Sequence, residues 1–319
     1  MKWTEPKCYA VKHKKEDVLA ASQSGGIFTA LSDKILEENG VIYGCVLDEN
    51  HCAVHVRAED ESGRNRMRGS KYIQSRVGYA FRSVKADLSV GRKVLFSGTS
   101  CQIAGLRAFL GRDYPNLLCV DIICHGVPSP MVWKAYLQWR EQKHGSRVVT
   151  ANFRNKALNG WRGTTETLDL ENGEVIKSKI FAMLFYDHNT IRPCCYTCPY
   201  KATMHPGDIT IGDYWGIENA APEFDDNKGV SLVLVNNQRG EEFLEQVKGS
   251  LLWKQTALAD SMQLSLVRAF KSPRGRARFW QDFRELSFDQ LVYRHCGGGI
   301  VSKVKRKIRI LLQRIEERV

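Results

Sequence analysis

The residues best suited to chemistry are cysteines. The run Arg192-Pro193-Cys194-Cys195-Tyr196-Thr197-Cys198 carries two thiols three apart. At that spacing a tight turn brings both sulfurs to one side of a metal or cluster. The same pair also makes half of a zinc site, or a redox couple. A four-thiolate centre needs two further ligands, and Cys101 and Cys124 are placed to supply them. Lys93-Val94-Leu95-Phe96-Ser97 leads through Gly98-Thr99-Ser100 to Cys101, and Leu117-Leu118-Cys119-Val120-Asp121-Ile122-Ile123 leads to Cys124-His125-Gly126. Pairing of Cys194 with Cys198 stays open. Cys45 and Cys119 fall inside strands and read as core, while Cys8, Cys52 and Cys296 carry no evident chemistry.

Two further stretches have the composition of an anion site. Ser24-Gly25-Gly26 precedes apolar residues at 27, 28, 31, 35 and 36, a helical stripe. Unpaired N–H groups and the positive dipole end at a helix start suit a cofactor phosphate, and the residues equally make a plain cap with loop glycines. Arg68-Gly69-Ser70-Lys71-Tyr72 places two cations, a glycine and a hydroxyl beside one aromatic ring, a set suited to a phosphate and a planar ring or to an ordinary exposed loop.

The elements that must position these residues follow from apolar patterning. Residues 94–97 and 117–123, separated by the helical run Gln102–Leu110, form a βαβ unit and imply a parallel sheet. Cys101 and Cys124 then stand past the C-terminal ends of adjacent strands, where crevices of open α/β sheets lie. Cys101 also opens a helix, a position that favours a thiolate. Val41–Leu47 and Ala53–Ala58 read as a hairpin, Tyr9–His13 as a short edge strand, and Asp208–Ile211 and Val230–Val235 as strands, with a helix beginning at Glu241. Between 150 and 180, strands are separated by Asn159-Gly160 and Asn172-Gly173 turns. The expected class is α/β with α+β elements: a parallel or mixed sheet with flanking helices. Residues 1–250 form one domain and 251–319 a basic helical extension. Past Gly297-Gly298-Gly299, the residues Val301, Val304, Ile308, Leu311, Leu312 and Ile315 make the apolar face of an amphipathic basic helix.

Composition bounds the rest. With 319 residues and 43% apolar content the chain buries a sizeable core. No run of 18 apolar residues is present, and Met1–Lys7 lacks a signal-peptide core, so the expected location is the cytoplasm. There the ten cysteines read as ligands and small core residues, not as disulfides. The net charge is +12, and residues 271–319 alone hold 13 Lys/Arg against 5 Asp/Glu. Charge confined to a tail argues against nucleic-acid binding. It suits packing on the domain, a partner, or a membrane surface.

Taken in order, Ser24-Gly25-Gly26-Ile27-Phe28-Thr29-Ala30-Leu31, Arg68-Gly69-Ser70-Lys71-Tyr72, Gly98-Thr99-Ser100-Cys101-Gln102, Cys124-His125-Gly126-Val127-Pro128-Ser129-Pro130, Cys195-Tyr196-Thr197-Cys198 and Asp208-Ile209-Thr210-Ile211-Gly212-Asp213-Tyr214-Trp215-Gly216 resemble the coenzyme F420 hydrogenase/dehydrogenase beta-subunit family. The resemblance spans roughly residues 8 to 240. It implies an iron–sulfur flavoprotein oxidoreductase that passes electrons between a [4Fe-4S] cluster, FAD and the deazaflavin F420 or another acceptor. It implies Cys101, Cys124, Cys195 and Cys198 as cluster ligands at the C-terminal edge of the sheet. Ser24, Gly25, Gly26, Arg68, Gly69, Ser70, Lys71 and Thr99 are the candidates for holding the flavin; no acid–base residue is assigned, and Asp213 and His125 are neighbours. Two departures stand out. Many members carry a two-cluster ferredoxin segment before the point matching Cys8, absent here, which implies a separate ferredoxin or other redox protein as partner. Ser100 stands where proline is common. The competing reading of the same cysteines is a zinc-stabilised, non-enzymatic interaction module.

Overall fold

A computed structural model describes residues 2–297. The strands are β1 (Lys2–His13), β2 (Val41–Leu47), β3 (Ala53–Ala58), β4 (Val94–Thr99), β5 (Leu117–Ile122), β6 (Val148–Asn152), β7 (Glu166–Leu170), β8 (Val175–Ser178), β9 (Ile209–Asp213), β10 (Ser231–Asn237) and β11 (Leu251–Thr256). An eight-stranded sheet runs in the order β11-β1-β10-β9-β5-β4-β2-β3, and β6-β7-β8 form a smaller antiparallel sheet. The centre of the large sheet, β2, β4, β5 and β9, is parallel, while its flanks pair antiparallel. This is the mixed α/β architecture read from the sequence.

Alternation along the strands sorts the core into two faces. Tyr9 and Val11 of β1, Leu95 of β4 and Val233 and Val235 of β10 pack under the helices Ile27–Glu37 and Gln238–Val247. Phe96 and Cys119 face the other way, beneath the helices Ala80–Ser89 and Ser100–Leu110. Cys8 and Ala10 face that side too, against Trp161 and Tyr214. Leu31 and Leu118 are almost fully enclosed, so truncating either to alanine would cost about 2–5 kcal/mol. A second layer joins the small sheet to the helices Pro130–His144, Ile180–Tyr186, Arg276–Glu285 and Phe288–Cys296 through Trp133, Phe153, Phe181 and Phe279.

Several expectations shift. The strand expected at Tyr9–His13 begins at Lys2 and is not an edge, because β11 pairs along its outer side from His13↔Leu251 to Cys8↔Thr256. Leu251–Thr256 shows no apolar alternation and is mostly exposed, so nothing in its pattern marks a strand. It lies just beyond residue 250 and is bonded into the large sheet, while Phe279 and Leu291 are buried among residues 53–184. Asn159-Gly160 closes a four-residue helix, Lys156–Asn159, and does not turn a hairpin. The helix expected from Glu241 starts at Gln238, because the Asn237 side chain accepts from the Gly240 N–H at 2.9 Å and caps it. The amphipathic stretch from Val301 lies outside the described residues. Among those described, no helix is long and apolar enough to cross a membrane.

Candidate functional site

The parallel register Thr99↔Ile122 brings the C-terminal ends of β4 and β5 level. The chain enters the Ser100–Leu110 helix directly from Thr99, so Cys101 is exposed on its first turn, with the Thr99 Oγ1 3.1 Å from its Sγ. Gln102 fixes this entry: its Oε1 accepts from the Thr99 N–H at 2.9 Å, and its Nε2 donates to the Ser75 Oγ at 2.8 Å. His205 supports the other side, its Nδ1 2.8 Å from Asp121 Oδ2 and 3.1 Å from the Ser100 Oγ.

Cys124 follows β5 into a loop that main-chain contacts clip to the second cysteine segment. Pro128 bridges Ile191, Ser129 N–H donates to Thr190 O at 2.9 Å and Arg192 N–H to Val127 O at 3.0 Å. Gly126, at φ +132°, allows the approach: a Cβ there would stand 3.0 Å from Ile191 and 3.7 Å from the Cys195 Cβ. Pro193–Thr197 forms a 3-10 turn presenting Cys195 and the exposed Cys194, and Cys198 caps it. Cys124 is in electrostatic reach of Cys101 and Cys198, and Cys195 of Cys124, Cys194 and Cys198. Burial pushes the Cys124 thiol up to about 11 and the Cys195 thiol up to about 12. None of Cys101, Cys124, Cys194, Cys195 and Cys198 is in a disulfide. The four predicted thiols therefore gather at one edge, although among the described residues no three His, Cys, Asp or Glu side chains close up as a metal-ion site.

A cleft of about 380 Å³ opens between the 68–71 loop and the segment that follows β6. Arg68, Gly69, Ser70 and Lys71 line one wall with Ser22 and Gln23, and Phe153, Arg154 and Lys156 line the opposite one. Ser24, Gly25 and Gly26 are not among the lining residues. The Ser24 hydroxyl donates to Asp213, Gly25 packs against the backbone of Val11 and Ser231, and Gly26 takes φ +89° to start the Ile27–Glu37 helix. The Lys71 ammonium closes its own loop, donating to the carbonyls of Arg66, Met67, Arg68 and Gly69 at 2.7–3.3 Å. Burial lowers Lys71 to about 8, and lowers Lys156 to about 8 as it donates to the carbonyls of Leu19 and Lys228. Two buried donors at the cleft, Arg68 Nε and Gln23 Nε2, have no hydrogen-bond partner among the described residues. Unpaired buried donors among cations fit an anionic group such as a pyrophosphate.

Asp213, at the end of β9, ties the walls together. It accepts from Ser24, from the buried Arg154 guanidinium and from Trp161 Nε1 at 2.7 Å. Burial pulls Arg154 down, but Asp213 and Tyr72 outweigh it and hold the group above its ordinary value. Trp161 stacks on Trp215 with centroids 5.0 Å apart. A chain of rings links the cleft wall to the cysteine loop: Tyr72 lies 6.0 Å from Phe153 and 5.0 Å from Phe185, and Phe185 lies 5.0 Å from His125, the neighbour of Cys124.

Arg154, Lys156, Lys201 and His205 escaped sequence reasoning. The cations sit in stretches that read as ordinary strand and loop, and no spacing rule links 154 to 68.

No curated protein matches the chain. The F420-reducing [NiFe] hydrogenase complex from Methanosarcina barkeri has a chain of similar fold, with TM-score 0.53, 21% identity, and coverage of 78% of this chain and 82% of that one. The family model for the C terminus of the coenzyme F420 hydrogenase/dehydrogenase beta subunit matches residues 91–259, a span that holds Cys101, Cys124, Cys195 and Cys198. With more than half of its length in that match, the chain belongs to the coenzyme F420 hydrogenase/dehydrogenase beta-subunit family.

Proposed function

We propose that the protein is an iron–sulfur flavoprotein oxidoreductase, in which Cys101, Cys124, Cys195 and Cys198 hold a [4Fe-4S] cluster and the neighbouring cleft holds FAD. Coenzyme F420 or another two-electron carrier is the acceptor, and a separate ferredoxin or other redox protein exchanges single electrons. A bound flavin takes a hydride as a two-electron step and releases electrons singly to a cluster. The observation that carries the reading is the chain of rings that runs from Phe153 in the cleft wall through Tyr72 and Phe185 to His125, the neighbour of Cys124. Arg68 and Gln23 line the cleft and carry buried donors with no partner among the described residues, which suits them to the phosphates. Asp213 holds Ser24 and Arg154, and with them the two walls of the cleft, at a fixed separation. Phe153 and Tyr72 supply apolar surface near a planar ring. Thr99 orients toward Cys101.

The test is anaerobic purification with iron, sulfide, zinc and flavin assays on the same sample. About four irons with released FAD are expected. Cys198→Ser should lose the iron, and Arg68→Met should lose flavin while keeping iron. A colourless protein with one zinc ion would replace this reading with the interaction module, and iron without flavin would remove the cleft assignment.

A further inference from the structure

Lys201 lies three residues past Cys198 and is nine-tenths buried. Its ammonium donates to the Cys124 carbonyl and to Ser265 Oγ at 3.3 Å, and it sits 5.2 Å from the Phe270 ring centroid. Among the described residues no carboxylate acts on it; the groups in its reach that would become anionic on binding a cluster are Cys124, Cys198 and Cys195. A buried cation without a counter-charge is costly, so chains keep one only where something compensates it. Here the groups that would compensate it are three of the four gathered cysteines, once they ligate as thiolates. A neutral residue such as methionine would fill the same space against Phe270, so packing does not demand the charge.

We propose that Lys201 is a positioning residue whose fixed positive charge balances the cysteine thiolates, supporting assembly of the iron–sulfur group and raising its reduction potential. The inference rests on the cluster reading above. Reduction adds one electron and one negative charge at the cysteine edge, with no bond made or broken. A nearby buried cation favours the more negative state, and its removal shifts the equilibrium toward the oxidised one. At the distances of direct neighbours the effect is about tenfold or more, and tenfold is about 59 mV for a one-electron couple. The Cys124 carbonyl contact also aims the charge, because it pins the ammonium to the loop that carries one of the thiols.

The experiment is a dithionite titration of the anaerobically purified full chain, followed by electron paramagnetic resonance, with iron and sulfide measured on every sample. Lys201→Gln keeps a donor for the Cys124 carbonyl and removes the charge, Lys201→Met removes both, and Lys201→Arg keeps the charge. The expected result is full iron in all, a shift of about tenfold or more toward the oxidised state in the Gln and Met variants, and a near wild-type potential in the Arg variant. Iron lost from Gln and Met but kept in Arg also supports the role, as a requirement of assembly. A Lys201→Gln protein with full iron at the wild-type potential overturns it, as does loss of iron from Lys201→Arg, which would mark a packing role. Wild-type protein without iron would instead overturn the cluster reading itself, before any variant is compared.

Discussion

Replacing Asp213 with alanine should be among the most damaging single changes to this protein. The carboxylate is mostly enclosed and faces an Arg154 side chain that is 3% exposed. Without it, the guanidinium keeps its carbonyl partners at Gly163 and Trp161 but loses its only counter-ion among the described residues. Breaking a buried pair in this way costs about 3–5 kcal/mol. That is a large share of the roughly 5–15 kcal/mol available to a folded domain. Ser24 and Trp161 lose their acceptor in the same change. Urea unfolding followed by tryptophan fluorescence reads the loss directly, since Trp161 and Trp215 stack beside the site. The double variant Asp213→Ala/Arg154→Met removes the stranded cation and should recover part of the loss, with a coupling energy of about 1–3 kcal/mol. A single-variant loss below about 1 kcal/mol, or strict additivity in the cycle, would refute the argument that Asp213 neutralises a buried charge.

Two further outcomes follow from other sites. Burial holds the His55 ring neutral to about pH 4, stacked on Phe96 at 5.3 Å. The unfolded ring protonates near its ordinary 6.5, so the unfolded state binds more protons between those values and stability falls as pH is lowered through that window. The full loss is about 3 kcal/mol, and His55→Gln should flatten that part of a stability-versus-pH curve; an unchanged slope would count against it. Gly25→Ala puts a Cβ 2.0 Å from the Val11 carbonyl and 2.6 Å from the Ser231 nitrogen. Both are backbone atoms of core strands, so the melting temperature should drop by the equivalent of about 1–3 kcal/mol. Gly249→Ala, with nothing within 4 Å, is the control that should not move.

The cysteine edge was legible in the sequence because strand, helix and strand follow within a short span, and that topology fixes where Cys101 and Cys124 must lie. The partner segment was legible from its own tight spacing. The Arg68 loop was readable as composition, but not its division of labour: Lys71 is consumed by four carbonyls of its own turn, while Arg68 keeps a donor unpaired. The Ser24-Gly25-Gly26 signal came from the same glycines that the fold uses for close backbone packing, and sequence does not separate the two causes. Arg154 is held at the cleft by Asp213 and Lys156 by the carbonyls of Leu19 and Lys228, all far away in sequence, and β11 is a strand by virtue of its neighbour, not its residues.

The position of β1 has a consequence for synthesis. Its register joins Ala10 to Leu232 on one side and to Lys254 on the other, so this strand waits for partners that are synthesised long after it. The β4–helix–β5 unit has its contacts close at hand, and loop-closure entropy favours such local units early. During translation β1 therefore stays without its sheet partners, its buried residues Cys8, Tyr9, Ala10 and Val11 uncovered, while the cysteine edge takes shape behind it.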